Sequence, residues 1–148
     1  MKTMGFELKG QNFVVTGAAR GIGLAISRRL TELGAKISGW DLDQSSMSKE
    51  STFSHCVKVD VTDENSVVSA SEETLQHFGV LHGLIANAGV NGPTKPVWEY
   101  RLEEWERVIS VDLTGVFLTT RAVLNHFREQ AYGRIVIVAS VAGKEGNP

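Results

Sequence analysis

Thr16-Gly17-Ala18-Ala19-Arg20-Gly21-Ile22-Gly23 sets three glycines between an apolar run, Phe13-Val14-Val15, and a helical segment that reaches Leu33. Phe13 to Val15 reads as a buried strand and Gly17 permits a tight turn. Gly21 and Gly23 then let a phosphate approach backbone N–H groups at a helix N-terminus. The helix dipole and the free amides attract an anion there without any charged side chain. The stretch therefore predicts a seat for a nucleotide pyrophosphate. Its spacing is G-x-x-x-G-x-G rather than the general G-x-G-x-x-G fingerprint, so the glycines alone also fit a flexible surface turn.

The rest of the chain weighs against that blander reading. Short apolar, β-branched runs recur at Phe13 to Val15, Lys36 to Trp40, Val57 to Val61, Leu81 to Ala86 and Arg134 to Ala139, each followed or preceded by a longer helical segment. Such alternation predicts a parallel sheet. Runs that are apolar throughout, such as Ile135-Val136-Ile137-Val138, belong in a sheet covered on both faces. The fold class is a doubly wound α/β sheet, and right-handed crossovers give it the strand order 3-2-1-4-5. One helix runs from Gly21 to Leu33 and closes at Gly34. Another is capped by Thr62 or Asp63 and runs to Phe78, with Gly79 ending it. Asn91 to Pro96 is a loop rather than a linker, because apolar patterning resumes at once. The longest helical pattern, Arg101 to Gln130, carries Trp105, Val108, Ile109, Val111, Leu113, Val116, Phe117, Leu118 and Leu124 on more than one face. That predicts a helix buried on two sides, against the sheet and against either a second subunit or a deep monomer core.

With 148 residues and 42% hydrophobic content, the chain suits one domain, 1–148, with one core. A net charge of −2 with scattered lysines and arginines offers no basic face for nucleic acid or an anionic membrane. Cys56 is the single cysteine, so no internal disulfide can form and a reducing cytoplasm is the expected compartment. It reads as a small buried hydrophobe. Met1 to Gly10 lacks the apolar stretch of a signal peptide, and Ile135 to Ala139 is too short to span a bilayer. The four histidines show no metal-ligand spacing, so no metal is expected. Ser140 lacks the G-x-S-x-G elbow of a serine hydrolase.

Polar residues gather at the ends of the expected strands, where open α/β sheets bind ligands. They are Asp41, Asp60-Val61, Asn87-Ala88-Gly89 and Ser140. A carboxylate after the second strand accepts hydrogen bonds from ribose hydroxyls and repels a 2′-phosphate, so Asp41 favours NAD over NADP.

With these residues in place, the chain resembles the short-chain dehydrogenase/reductase family over its whole length. Thr16 to Gly23 matches the family's T-G-x-x-x-G-x-G turn, and Asn87 to Gly89 its N-A-G motif. Val111-Asp112-Leu113-Thr114-Gly115 resembles its central helix motif, and Ser140-Val141-Ala142-Gly143 the segment with its catalytic serine. The resemblance implies a Rossmann fold and an NAD(P)-dependent oxidoreductase that moves a hydride between nicotinamide and a small alcohol or carbonyl substrate. It also implies cofactor contacts from Thr16, Gly17, Arg20, Gly21, Ile22, Gly23, Asp41, Asp60, Val61, Asn87, Ala88 and Gly89. Asp60 and Val61 would flank the adenine, Asn87 and Gly89 would shape the floor near the nicotinamide ribose, and Ser140 would bond the substrate oxygen. Asn91 to Trp98 would line one side of the substrate pocket. The ending Gly143 to Pro148 is similar to members acting on polyols, sugar acids or 3-oxoacyl groups. Homodimers or homotetramers are typical of the family.

Two departures qualify the resemblance. The family's catalytic tyrosine, with a lysine four residues on, follows the serine segment, but only Val141 to Pro148 follow Ser140 here. Neither Tyr100 nor Tyr132 substitutes, since Glu104 and Val136 stand four positions later. The reading is an N-terminal portion of an enzyme, inactive alone, with an open hydrophobic sheet edge. A non-catalytic nucleotide-binding or interaction module is the alternative. The second departure is Asp112, where the family usually has asparagine. It is carried as a catalytic candidate that could otherwise mark a helix irregularity near Gly115.

Overall fold

The structure, a computed structural model, describes residues 7–146, so Asn147 and Pro148 of the expected substrate-side ending lie outside the described residues, as do Met1 to Phe6 of the leader reading. Five parallel strands, β1 (Asn12–Thr16), β2 (Lys36–Asp41), β3 (His55–Lys58), β4 (Gly83–Ala86) and β5 (Arg134–Ile137), stand in the order β3-β2-β1-β4-β5. That is the expected doubly wound order. Val14 faces Ser38 on one side and Leu84 on the other, so β1 is central and wholly buried.

The helices are α1 (Gly21–Glu32), α2 (Gln44–Met47), α3 (Glu64–Phe78), α4 (Leu102–Ile109), α5 (Gly115–Glu129) and α6 (Ala142–Glu145). Asp63 caps α3 by accepting from Asn65 N, and Gly79 ends it at φ +73°. Gly34 sits just past α1 at φ +92°, as expected of a helix stop. Two hydrophobic clusters fill the faces of the sheet. One joins Val14, Trp40, Leu84, Val123 and Phe127; the other joins Val15, Ile37, Met47 and Ile85. Helices thereby cover both faces of the sheet over its central strands, as a parallel sheet requires.

Three expectations need correction. The run Val57 to Val61 is not a strand throughout: β3 ends at Lys58, with Val59 N still donating to Asp41 O at 3.0 Å and Asp60 N then donating to Ser66 Oγ at 3.0 Å. Asp60 therefore lies in a turn beyond the strand. Leu81 is buried but precedes β4, its N–H donating to His126 Nε2 at 3.0 Å. Ile135 to Ile137 are not covered on both faces, since β5 pairs only with β4 and leaves Val136 and Ile137 half exposed. The open apolar edge expected from the family pattern is this strand.

The Arg101 to Gln130 segment also differs from the expectation. It is α4, a π-helical turn at Ser110–Thr114, and α5. Its inner face buries Leu118, Thr119, Val123 and Phe127, while Trp105, Leu113 and Phe117 are exposed. It is thus buried on one side within the chain, because no element among the described residues covers the outer one. Over 28 residues, Leu102–Glu129 is long and apolar enough by length and composition to cross a membrane, which the short run at Ile135 did not reveal. Trp98 and Trp105 are both exposed and belong to no part of the core. Cys56 is half-buried at edge strand β3, and burial pushes its thiol pKa up.

Candidate functional site

A cleft of about 340 Å³ opens at the carboxyl ends of β1, β2, β3 and β4. It is large enough for a substantial part of a cofactor-sized ligand. Gly17, Arg20 and Ile22 form one wall, Asp41, Asp60 and Val61 a second, and Asn87, Ala88 and Gly89 the floor. The structure thereby gathers residues from the ends of four strands that the sequence singled out.

The glycines of the first turn differ in their reasons. At Gly17, with φ +63°, a Cβ would stand 2.9 Å from Ala88 Cα, and at Gly23 it would stand 2.2 Å from Gly17 O. Those two glycines let the turn and α1 close onto the Asn87–Ala88 loop. Gly21, at φ +56°, has open space on its Cβ side and is needed for its backbone conformation alone. Arg20 is the N-cap of α1 yet makes no side-chain cap hydrogen bond, and the first turn holds no acidic residue. The N-terminal N–H groups of this helix are therefore left to an anion, as a pyrophosphate seat requires.

Thr16 does not line the cleft. Its side chain is buried, and Oγ1 accepts from both Asn87 N and Ala88 N at 2.9 Å. Asn87 Nδ2 returns the contact, donating to Thr16 O at 2.9 Å and Gly17 O at 3.2 Å. The two loops are thus locked together, and Thr16 acts on the cleft through Asn87 rather than from its wall.

Asp41 is oriented by two amides. Ala19 N donates to Oδ2 and Asp43 N to Oδ1, each at 3.0 Å. Each oxygen keeps a free lone pair for a hydroxyl partner in the cleft. Asp60 accepts from Thr62 N and Thr62 Oγ1 at 2.9 and 2.7 Å, which shapes its turn. Val61 packs against Gly115, where a Cβ would meet Val61 Cγ2 at 2.9 Å, so that glycine lets α5 approach the cleft wall.

Asp112 stands in the π-turn, the irregularity expected near Gly115, and its Oδ1 accepts from Val90 N at 2.9 Å. It braces the end of the Asn87–Gly89 floor. Ser140 follows β5, whose pairing to β4 continues through Val138 N to Ala86 O at 2.9 Å. Its Oγ accepts from Ala142 N at 3.2 Å, and the residue is exposed beside the cleft rather than in its lining. Sequence reasoning missed Trp40, Leu42, Val59, Val90 and Val111 in the lining. They are ordinary apolar residues there, and only their place beside the named polar ones could have marked them.

The Asn91 to Trp98 loop is braced from α4. Lys95 Nζ lies 2.6 Å from Glu104 Oε2, and the same carboxylate accepts from Arg101 N at 2.9 Å. These contacts, Lys95 first, lower the Glu104 pKa to about 2. Tyr100 donates its hydroxyl to Pro93 O across the loop.

A doubly wound sheet with an uncapped glycine turn at its first crossover defines a Rossmann-like α/β protein. The family model described as short chain dehydrogenase matches residues 11–148, and the chain belongs to that family. It is 39% identical over 142 residues to 2-dehydro-3-deoxy-L-rhamnonate dehydrogenase (NAD(+)) of Sphingomonas sp., covering 94% of this chain and 57% of that protein. It is 39% identical over 139 residues to cis-4-hydroxycyclohexanecarboxylate dehydrogenase of Sinomonas cyclohexanicum, covering 90% and 56%. Among solved structures, NAD+-bound xylitol dehydrogenase superposes with a TM-score of 0.91 at 35% identity, covering 95% of this chain and 56% of that one. The chain thus spans somewhat over half the length of the relatives it matches.

Proposed function

We propose that in the whole protein this domain holds NAD, and that the enzyme oxidises a small secondary alcohol or reduces the matching carbonyl. The carrying observation is the Asp41 carboxylate, fixed by Ala19 N and Asp43 N beside the turn that leads into the uncapped start of α1. The helix start suits a pyrophosphate and the carboxylate a ribose diol, while a 2′-phosphate would meet a fixed negative charge. Bound NAD supplies the hydride acceptor at its nicotinamide ring. The chain's own residues bind and orient. Arg20, Gly21, Ile22 and Gly23 flank the pyrophosphate, Asp60 and Val61 the adenine, and Asn87, Ala88 and Gly89 the nicotinamide side. Ser140 donates to the substrate oxygen, and Asp112 holds the floor loop by accepting from Val90 N.

The substrate class we propose is a polyol, sugar acid or 3-oxoacyl group. The named activities of the relatives support that range, including a 3-oxoacyl-[acyl-carrier-protein] reductase of Synechocystis at 35% identity. We further propose a cytoplasmic homodimer or homotetramer, and no turnover by residues 1–148 alone, since no tyrosine here carries a lysine four positions on. Calorimetric titration with NAD and NADP tests the cofactor assignment. We expect NAD to bind at least about tenfold more tightly than NADP, and Asp41→Ala to erase most of that preference, because one charge-assisted contact contributes about 1.5–3 kcal/mol. Equal or tighter NADP binding by the unaltered protein would overturn it.

A further inference from the structure

A polar chain runs from the surface at edge strand β3 to the residue beside Asp41. Trp40 is fully buried, and its carbonyl accepts from Gly17 N at 2.8 Å. Its indole Nε1 donates to Thr74 Oγ1 at 3.0 Å and to Ser38 Oγ at 3.2 Å, and those two oxygens lie 3.2 Å apart. Ser38 Oγ lies 3.0 Å from His55 Nδ1, and His55 Nε2 lies 3.0 Å from Glu73 Oε1. The ring of His77 stacks on His55 with centroids 4.5 Å apart and planes within 13°. An ordinary strand pair needs none of this apparatus.

The donors and acceptors along the chain have a fixed sense. A carboxylate only accepts, so Glu73 keeps the proton of neutral His55 on Nε2 and leaves Nδ1 to accept from the Ser38 hydroxyl. A second proton on Nδ1 removes that acceptor. Nδ1–H must then donate to Ser38 Oγ, and the Ser38 proton must turn towards Thr74 Oγ1. Both oxygens that hold Trp40 are then engaged differently. The charged or titratable groups facing His55 both come from α3, Glu73 favouring the proton and His77 opposing it; β2 presents the uncharged Ser38.

We infer that His55 is a positioning residue for the nucleotide cleft: its protonation reverses the hydroxyl chain through Ser38 and Thr74, loosens Trp40 and the adjoining Asp41, and weakens cofactor binding. The inference rests on the reading of the cleft as an NAD site. Burial, chiefly, and then His77 hold the His55 pKa below its ordinary value of 6.5. Cofactor affinity is therefore full above that value and declines as the pH falls below it.

The test is calorimetric titration of the whole protein with NAD at about pH 7.5 and about pH 5.5, where affinity should fall about fivefold, at the low end of ordinary site-to-site coupling. His55→Asn keeps an oxygen to accept from Ser38 but cannot take up charge. It should match the unaltered protein at the higher pH and lose most of the decline. The Trp40 indole N–H resonance, followed by NMR without ligand, should shift with the His55 titration and stay constant in His55→Asn. A purely structural role would lower stability at both pH values and leave the pH profile of binding unchanged. An equal decline in both proteins, or an indole resonance that does not follow His55, overturns the inference. Absence of NAD binding at both pH values overturns the cleft reading and this inference with it, whereas a failed relay leaves binding at the higher pH intact.

Discussion

Thr16 shows how much a single residue can do without touching a ligand. Its one hydroxyl oxygen accepts from two partly buried amides, so replacing it by the isosteric valine strands both. Thr16→Val should lower stability by about 2 kcal/mol or more, the cost of leaving buried donors unpaired, and urea denaturation would measure it. The same change should loosen Asn87 and weaken nucleotide binding. Gly23→Ala belongs to the same scale, because its Cβ would meet Gly17 O at 2.2 Å, a backbone atom that cannot swing aside. It should cost about 1–3 kcal/mol in the same assay, as overpacking does. Position in the sequence was enough to mark Asp41 as the residue after the second strand. It was not enough to show that Ala19 N and Asp43 N aim the carboxylate, because the first contact spans 22 residues and exists only once β1 and β2 are paired.

Among the elements, β1 and β4 are pinned at their N-terminal ends by imidazoles acting as acceptors. Asn12 N donates to His82 Nδ1 at 3.0 Å and Leu81 N to His126 Nε2 at 3.0 Å. Burial, then His126, lowers the His82 pKa below its ordinary 6.5. A base with a depressed folded-state pKa gives stability that is present above the unfolded value and lost as the pH falls through the folded one. The urea midpoint should therefore drop from about pH 7 towards about pH 5, and His82→Asn should show a smaller drop, if the acceptor is what the proton removes. The α4–α5 rod makes a different case. Its periodicity announced an apolar helix, but periodicity cannot say which partner takes which face, and Phe117 proves to be 56% exposed. Phe117→Glu should leave the stability of the isolated fold within about 0.5 kcal/mol while disrupting any assembly through that face. Light scattering of the whole protein beside a urea curve would separate the two effects.

For the molecule as a whole, identical residue types carry different weight according to their place in the sheet. Ile37 in β2 is fully buried between two neighbouring strands, whereas Ile137 in β5 is 54% exposed at the edge. Ile37→Ala should cost about 2–5 kcal/mol and Ile137→Ala about 1 or less, both read from urea denaturation. The sequence by itself determined the doubly wound class, the strand order and most of the cleft, because strand spacing, glycine turns and strand-end polar residues are local patterns tied to backbone geometry. Gly17, Arg20, Ile22, Asp41 and Asn87 to Gly89 were all legible in that way. Only the tertiary structure decided that β3 stops short of Asp60, that Thr16 holds the Asn87–Ala88 loop from behind the cleft wall, and that a polar chain joins His55 to Trp40. Those outcomes depend on hydrogen bonds between residues far apart in the chain, and a one-dimensional pattern holds no record of which buried donor will meet which acceptor.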